Sequence, residues 1–329
     1  MSYYLYQLTF DSLVHFGQAE LGGHLEQITL DYPSDTLFSA LCCELARQGG
    51  NEVVEDFYSK TASGQIALSD LYPYMIHDNG ECHFYVPKPV LGGIKTPNKE
   101  WREYEQACRD SRQKKAVKKL PYVRAIHLNH YLSALQHGTP FTEKPKFGEF
   151  VLVQKVNCRN EKPYYVGCYT FHPRAGLYGI IKAEEADRDW LQRIFTLLGY
   201  SGIGGKRSSG YGKFHLYDDF IEMDEQGIYE DDGELYRRLV DNEAAWQMAI
   251  SMVLPEQEDI PAVARESWYT LRKRSGFIDA AGEVRKRDSL YMIASGSCFS
   301  KRIDGSIAVL PGNEHPVYRY GKGMYLGLI

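Results

Sequence analysis

Apolar and polar positions along the chain recur with two periods, and these lay out its elements. Tyr3–Phe10 alternates and is rich in aromatic and β-forming residues, which predicts a strand running into a turn at His15-Phe16-Gly17. Ser34-Asp35-Thr36 then precedes an apolar stripe at helical spacing (Leu37, Phe38, Leu41, Leu45) that stops at Gly49-Gly50. That pattern predicts a helix capped by Ser34 or Asp35, with a second helix over Glu52–Lys60. Leu68–Tyr74 and Cys82–Val86 read as strands. From Pro87 to Pro145 the periodicity loosens and cations dominate, which predicts an insertion carrying a short basic helix near Arg112–Lys119. A solvated charged helix face explains that cluster as well as contact with a polyanion does.

Phe150–Val156 and Pro163–Phe171 predict a hairpin, Glu184–Leu198 an amphipathic helix, and Tyr211–Tyr217 a returning strand. The order strand, helix, strand, strand, helix, strand is that of a split βαβ, ferredoxin-like unit in an α+β fold. Asp218–Glu234 carries nine carboxylates and no cation. The domain expectation is therefore residues 1–218 with an insertion at about 87–150, an acidic linker at 219–240, and a second, β-rich unit at 241–329. Trp246–Leu254, Trp268–Leu271, Tyr291–Phe299, Ser306–Leu310 and Val317–Leu326 supply the ordered segments of that unit.

Composition narrows the class. At 329 residues, 43% hydrophobic and 25% charged, the chain has the balance of a globular protein. No apolar run reaches the roughly 18–20 residues of a membrane span. The N-terminus lacks a basic region and a small-residue cleavage site, so no secretory signal is expected and the expected location is cytoplasmic. Seven cysteines, an odd number scattered without a C-x-x-C pair, argue for reduced thiols and against a disulfide framework or a zinc site. The net charge of −5 is unsuited to a nucleic-acid binder until the acidic stretch is set apart. The remaining chain carries basic clusters at Arg112–Lys119, Lys206–Lys213, Arg272–Arg274 and Arg285–Arg287. A basic cleft with an acidic rim suits one member of a larger assembly. Twenty-five tyrosines add rings that serve interfaces and base stacking alike.

The richest chemistry lies in Gly199–Gly212, where six glycines and the cations Lys206 and Arg207 fall within fourteen residues. Clustered backbone N–H groups beside cations are the means of holding phosphate. A P-loop is excluded by spacing: counting back from Gly205-Lys206 places Tyr200 at the first glycine and Arg207 at the metal-binding hydroxyl. A dinucleotide fingerprint begun at Gly202-Ile-Gly204 places Arg207 at the third glycine. Two adjacent cations followed by Ser208-Ser209-Gly210-Tyr211 suit a polyanionic backbone better than a mononucleotide. The competing reading is a mobile glycine-rich surface loop.

At this point the residues resemble a family. The carriers are Leu13-Val-His15-Phe16-Gly17, Ser34-Asp-Thr-Leu-Phe-Ser-Ala-Leu41, Pro87-Lys-Pro89, Pro163-Tyr-Tyr-Val-Gly167 and Gly176-Leu-Tyr178. To these are added Gly202–Gly212, Lys273-Arg-Ser-Gly-Phe277, Ser295-Gly-Ser-Cys-Phe299 and His315-Pro-Val-Tyr-Arg-Tyr-Gly321. The chain is similar nearly end to end to the RAMP proteins of CRISPR effector complexes, and more narrowly to the fourth Csm subunit of type III-A complexes. The resemblance implies two ferredoxin-like, RRM-like domains, a glycine-rich RAMP loop and an inserted arm. It implies a non-catalytic subunit, with no cofactor, that binds the 5′ handle of the crRNA in antiviral defence. It also implies docking to the large polymerase-like subunit and the repeating backbone subunit, and indirect contact with target RNA through an arm that wedges into the guide–target duplex. The arm is expected within Pro87–Phe150, and no membrane partner is implied.

The candidate RNA contacts follow from chemistry. Lys206 and Arg207 neutralise phosphates, Arg207 with planar geometry that lysine lacks. Gly202, Gly204, Gly205 and Gly210 are expected to offer backbone N–H groups, Ser208 and Ser209 hydroxyls, and Tyr211 a ring. His15 and Phe16, at the mouth of the first strand, offer an imidazole and a stacking face. Ser34 and Thr36 stand at a helix N-terminus, where Asp35 opposes a phosphate unless its charge is otherwise engaged. Arg159 at the hairpin tip, Lys88, Lys273, Arg274 and Arg319 form a second tier. Two other functions compete. In a metal-independent repeat-RNA endoribonuclease, His15 would act as base and Lys206 would steady the phosphorane, though nothing pairs His15 with a second acid. A phosphate-loop metabolic enzyme would bind a mononucleotide. His127, His130 and His137 lack a further ligand at metal spacing.

Overall fold

The computed structural model describes residues 1–17, 24–92, 115, 117, 119–137, 139–157, 161–275, 277–280, 283–286, 289–311 and 316–328. The architecture is mixed α+β with antiparallel sheets. The main sheet is built from β1 (Ser2–Phe10), β2 (Ala67–Leu68), β3 (Tyr72–Ile76), β4 (Cys82–Pro87), β5 (Tyr122–Arg124), β8 (Ala175–Ala183), β9 (Phe214–Leu216) and β10 (Ile221–Glu222). Its path runs β10-β1-β8-β3-β4-β5, with β9 also pairing β1 and β2 pairing β8.

Alternation along β1 divides the core. Tyr4, Tyr6 and Leu8 face a cluster with Phe38, Phe57, Phe195 and Phe220, while Leu5 faces one with Tyr74, Phe84 and Tyr178. Helix α1 (Ser34–Ala62) and helix α3 (Glu185–Ser201) supply the first of these faces. A break at Gly50, where φ is 71°, divides α1 where the glycine pair predicted a stop. The expected side-chain cap is not made. Pro33 occupies the cap position, and Ser34 and Asp35 lie inside the first turn with other partners.

Between β5 and the hairpin of β6 (Gly148–Val156) and β7 (Pro163–Phe171) lies helix α2 (Leu128–His137). The expected insertion thus contains a strand that joins the main sheet through β4. Most of the basic stretch Arg112–Lys119 lies outside the described residues. Hairpin β6–β7 pairs over all nine positions, from Gly148↔Phe171 to Val156↔Pro163.

The acidic stretch differs from a linker. It carries β10, paired to β1, and helix α4 (Glu230–Val240). Asp232 accepts the Tyr229 N–H at 2.8 Å, and buried Asp231 accepts Arg124 Nε at 2.8 Å. Carboxylates in a helix's first turn favour its positive end, which is why so acidic a segment is helical. Leu235 and Leu239 of α4 pack with Met248, Leu326 and Leu328 on the second face of the main sheet.

The C-terminal residues form β11 (Trp246–Ala249), helix α5 (Ile260–Glu266), β12 (Ser267–Trp268), β17 (Cys298–Phe299) and β20 (Tyr325–Leu328). Their sheet order is β12-β17-β11-β20. Three two-stranded pairs accompany it: β13 (Leu271–Arg274) with β16 (Leu290–Ile293), β14 (Phe277–Ala280) with β15 (Glu283–Lys286), and β18 (Ala308–Leu310) with β19 (Val317–Arg319). No helix among the described residues is long and apolar enough to cross a membrane.

Candidate nucleic-acid interface

The glycine loop is a backbone-built element. Helix α3 ends as the Gly202 N–H returns to Leu198 O at 2.7 Å. The loop then ladders against the strand-end turn: Gly205 N–H donates to His15 O at 2.8 Å and Gly212 N–H to Leu13 O at 2.8 Å, while Ile203 N–H closes onto Gly212 O at 2.9 Å. Glycine is required at two of these positions on two grounds. Gly204 has φ 84° and a Cβ there would stand 2.7 Å from His15 O; Gly212 has φ 74° and its Cβ would overlap the Ile203 carbonyl oxygen.

This corrects one expectation. The N–H groups of Gly202, Gly205 and Gly210 donate to Leu198, His15 and Arg207 carbonyls, so they are spent within the protein rather than on a ligand. The Gly204 N–H is directed at the Tyr32 hydroxyl; burial pushes that phenol well up, and the N–H opposes the shift. The loop presents side chains. Lys206 takes a left-handed conformation (φ 61°, ψ 22°) and leads a single turn, Arg207–Ser209, whose three residues are all exposed. Lys206 Nζ lies 5.4 Å above the Tyr164 ring, and Lys155 Nζ lies 4.5 Å above Tyr211, so two cation–π contacts clasp the loop to hairpin β6–β7.

Beside the loop opens a cavity of about 450 Å³. His15, Phe16, Thr36, Gly202, Gly204, Gly205, Arg207 and Arg274 all line it, so residues from four separate segments of the chain converge. Arg272 also lines it, a residue that the selection of Lys273 and Arg274 passed over. Strand alternation carries that signal: Arg272 and Arg274 share one face of β13, and Lys273 points to the other, exposed one. Asp31 and Tyr32, likewise unselected, complete the wall.

Several selected residues are elsewhere. Ser34 is fully buried and its hydroxyl accepts the Met252 N–H at 3.0 Å, so it joins the two halves of the chain instead of facing a ligand. Arg319 is 5% exposed, with Nη1 2.7 Å from Asp35 Oδ2. Arg274 binds the same carboxylate, Nε to Oδ2 at 2.9 Å and Nη2 to Oδ1 at 3.0 Å, and also reaches Thr36 Oγ1 at 2.6 Å. Burial alone would raise the Asp35 carboxyl; Arg274 and Arg319 outweigh it and hold the group below the usual carboxylate range. Arg319 is thereby an interior ion-pair partner, and Arg274 both an anchor and a cavity wall. Lys88 Nζ donates to Val117 O at 3.2 Å, away from the cavity wall. Arg159 lies outside the described residues.

His15 is 6% exposed, and its Nδ1 donates to Gly167 O at 2.7 Å, which leaves Nε2 beside Gly17 and Gly205. The ring is fixed by backbone on three sides. Phe16 is buried against Tyr32, with centroids 4.9 Å apart.

Similarity to known proteins bears on the family. The model described as the CRISPR Csm4 C-terminal domain matches residues 242–328. The "CRISPR system Cms protein Csm4" of Mycobacterium tuberculosis (strain ATCC 25618 / H37Rv) is 31% identical over 325 residues, covering 95% of each chain. The chain belongs to the Csm4 family. The Streptococcus thermophilus Csm4 is 30% identical across 100% of this chain and 99% of its own. Two solved structures share the fold. One is a Csm3–Csm4 subcomplex of a type III-A CRISPR-Cas interference complex (TM-score 0.62, 16% identity, all of both chains). The other is a Csm1–Csm4 cassette with pppApA (TM-score 0.60, 19% identity, 100% of this chain and 98% of that one).

Proposed function

We propose that this Csm4 family member binds the 5′ handle of the crRNA along the cavity between the glycine loop and strand β13, without cleaving it. The observation that carries this reading is the convergence of Arg207, Arg272, Arg274, Thr36 and the His15-Phe16 turn on one concave surface. Arg207 with Ser208 and Ser209 takes phosphates at the rim, where exposure allows them to be met. Lys206 joins them by leaving Tyr164, and Tyr211 and Lys273 flank the path.

The same reading makes both halves ferredoxin-like. Support comes from strands β9-β1-β8-β3, with α1 after β1 and α3 after β8, and from β20-β11-β17-β12, which repeats the strand order with α5 between β11 and β12. The division into residues 1–218 and 241–329 belongs to the same proposal, with α4 packed between them. The protein docks the large subunit and the backbone subunit of a type III-A complex. Support comes from the fold shared with chains solved in Csm1–Csm4 and Csm3–Csm4 assemblies. The arm toward the guide–target duplex belongs to the insertion at about 87–150, part of which lies outside the described residues.

The test is filter binding of a labelled handle-bearing RNA to the full chain, in EDTA and across a salt series. Salt-sensitive binding, lost in the double variant Lys206→Ala/Arg207→Ala, with the RNA recovered intact, is the expected result. Equal binding by that variant would overturn the site. Shortened RNA that depends on His15 would overturn the non-catalytic reading.

A further inference from the structure

A second concavity adjoins the candidate site. It holds about 660 Å³, within the range of about 300–1,000 Å³ of sites that hold small ligands, and is walled by β6, β7, β5 and the segment 28–31. Its floor is aromatic, with Tyr122, Phe147 and Tyr169 buried, whereas Phe150 at the mouth is 67% exposed and stands edge-on to Tyr169 with centroids 4.9 Å apart. Lys119, Lys144 and Lys146 ring the opening, all exposed. A large aromatic face held out into water, beneath a lysine rim, is chemically matched to a flat ring joined to phosphates.

Continuity with the first cavity decides what kind of ring. Thr29 and Asp31 line both spaces, so one wall passes from the glycine loop to the aromatic chamber. At that junction Asp31 is fixed from both sides: its Oδ1 accepts from Tyr122 Oη at 2.6 Å, and its Oδ2 lies 3.5 Å from Arg272 Nη1. A carboxylate there repels a phosphate crossing close to it. A chain passing between the cavities must therefore carry its phosphates on the lysine side and turn its bases inward.

We propose that this second cavity receives an unstacked nucleobase of the same single-stranded RNA, with its ring on Phe150 and its flanking phosphates on Lys119 and Lys144. The inference rests on the handle-binding reading and extends it by one site. Lys146 plays a lesser part, since its Nζ is 2.8 Å from Glu149 Oε1.

The experiment places 2-aminopurine at successive handle positions and follows its emission on binding to the full chain. One position is expected to be quenched by stacking, and Phe150→Ala should restore its emission and weaken binding about tenfold. Lys144→Glu should weaken binding without restoring emission at unrelated positions. Phe150 is exposed, so an unchanged thermal melt in Phe150→Ala checks that the fold is intact. If RNA binds in an Arg207-dependent way but no position responds to Phe150→Ala, this inference fails and the handle reading stands. If RNA does not bind at all, both fail. If Phe150→Ala leaves RNA binding and emission unchanged but loses a copurifying protein subunit, the cavity is a protein socket and the inference is overturned.

Discussion

Arg319 Nη1 stands 2.7 Å from Asp35 Oδ2, and these two residues, 284 positions apart, form a buried ion pair. Arg274 reaches the same carboxylate from β13. The first turn of α1 is thereby tied to two separate strands of the C-terminal half. Asp35 thereby holds Arg274 in the wall of the candidate RNA site.

Removing that carboxylate takes an ion-pair partner from buried Arg319 and from part-buried Arg274. Asp35→Ala is expected to lose about 3–5 kcal/mol, read by urea unfolding at pH 7. Because Asp35 titrates below its ordinary value in the fold, its contribution is present above about pH 4 and fades as the pH falls further. Asp35→Asn should accordingly show a shallower loss of stability in acid than the parent. An identical acid profile would remove the charge argument.

Asp70 acts in the opposite sense. It accepts the Ser34 N–H at 2.7 Å and the Met252 N–H at 3.1 Å, yet burial raises its pKa to about 6, with Asp35 adding to the rise. A carboxyl raised in the fold binds its proton more tightly there than in the unfolded chain. Stability then declines as the pH climbs from about 4 to about 6 and is level above that. Asp70→Asn keeps an acceptor oxygen for both N–H groups and should be stabler than the parent at pH 7 by as much as about 3 kcal/mol. Paired urea titrations at pH 4.5 and 7 measure this, and an equal loss at both would contradict it.

Lys206 holds a left-handed backbone that costs a side-chain-bearing residue about 1 kcal/mol or more. Lys206→Gly should raise thermal stability by roughly 1 kcal/mol while weakening RNA binding. Opposite signs in the two assays separate local strain from ligand contact. No gain in stability would mean that the Tyr164 contact already outweighs the strain.

Arg207 and Arg274 differ in what they hold, and salt should tell them apart. Losing one phosphate contact flattens the plot of log K against log salt by about 0.7 on a single strand. Arg207→Ala should show that change with stability unaltered, because Arg207 is exposed. Arg274→Ala should lower the melting temperature as well, because its loss leaves Asp35 short of a partner.

The elements legible beforehand are those with a local signature. The break of α1 at Gly50, the hairpin around residues 157–162 and the strand of Ser2–Phe10 each follow from a few neighbouring residues. Misreadings arose where distant partners decide. Charge density marked 219–240 as a linker, yet Asp231 finds Arg124 and the Phe84 N–H, so the segment folds onto the sheet. Glycine density suggested a cradle of free N–H groups, yet the end of α3, the turn after β1 and the loop itself accept those of Gly202, Gly205 and Gly210.

The sequence by itself determined the period of each element, the sharp turns at its glycines and the family to which it belongs, because each is written in adjacent residues. Only the tertiary structure decided which cations line the cavity and which lie in the interior. Lys206 and Arg207 are consecutive in the chain, but Arg274 and Arg319 acquire their roles from a carboxylate more than two hundred positions away. A guanidinium opposite a buried carboxylate is structural, and the same group opposite water is available for phosphate; no local pattern distinguishes the two.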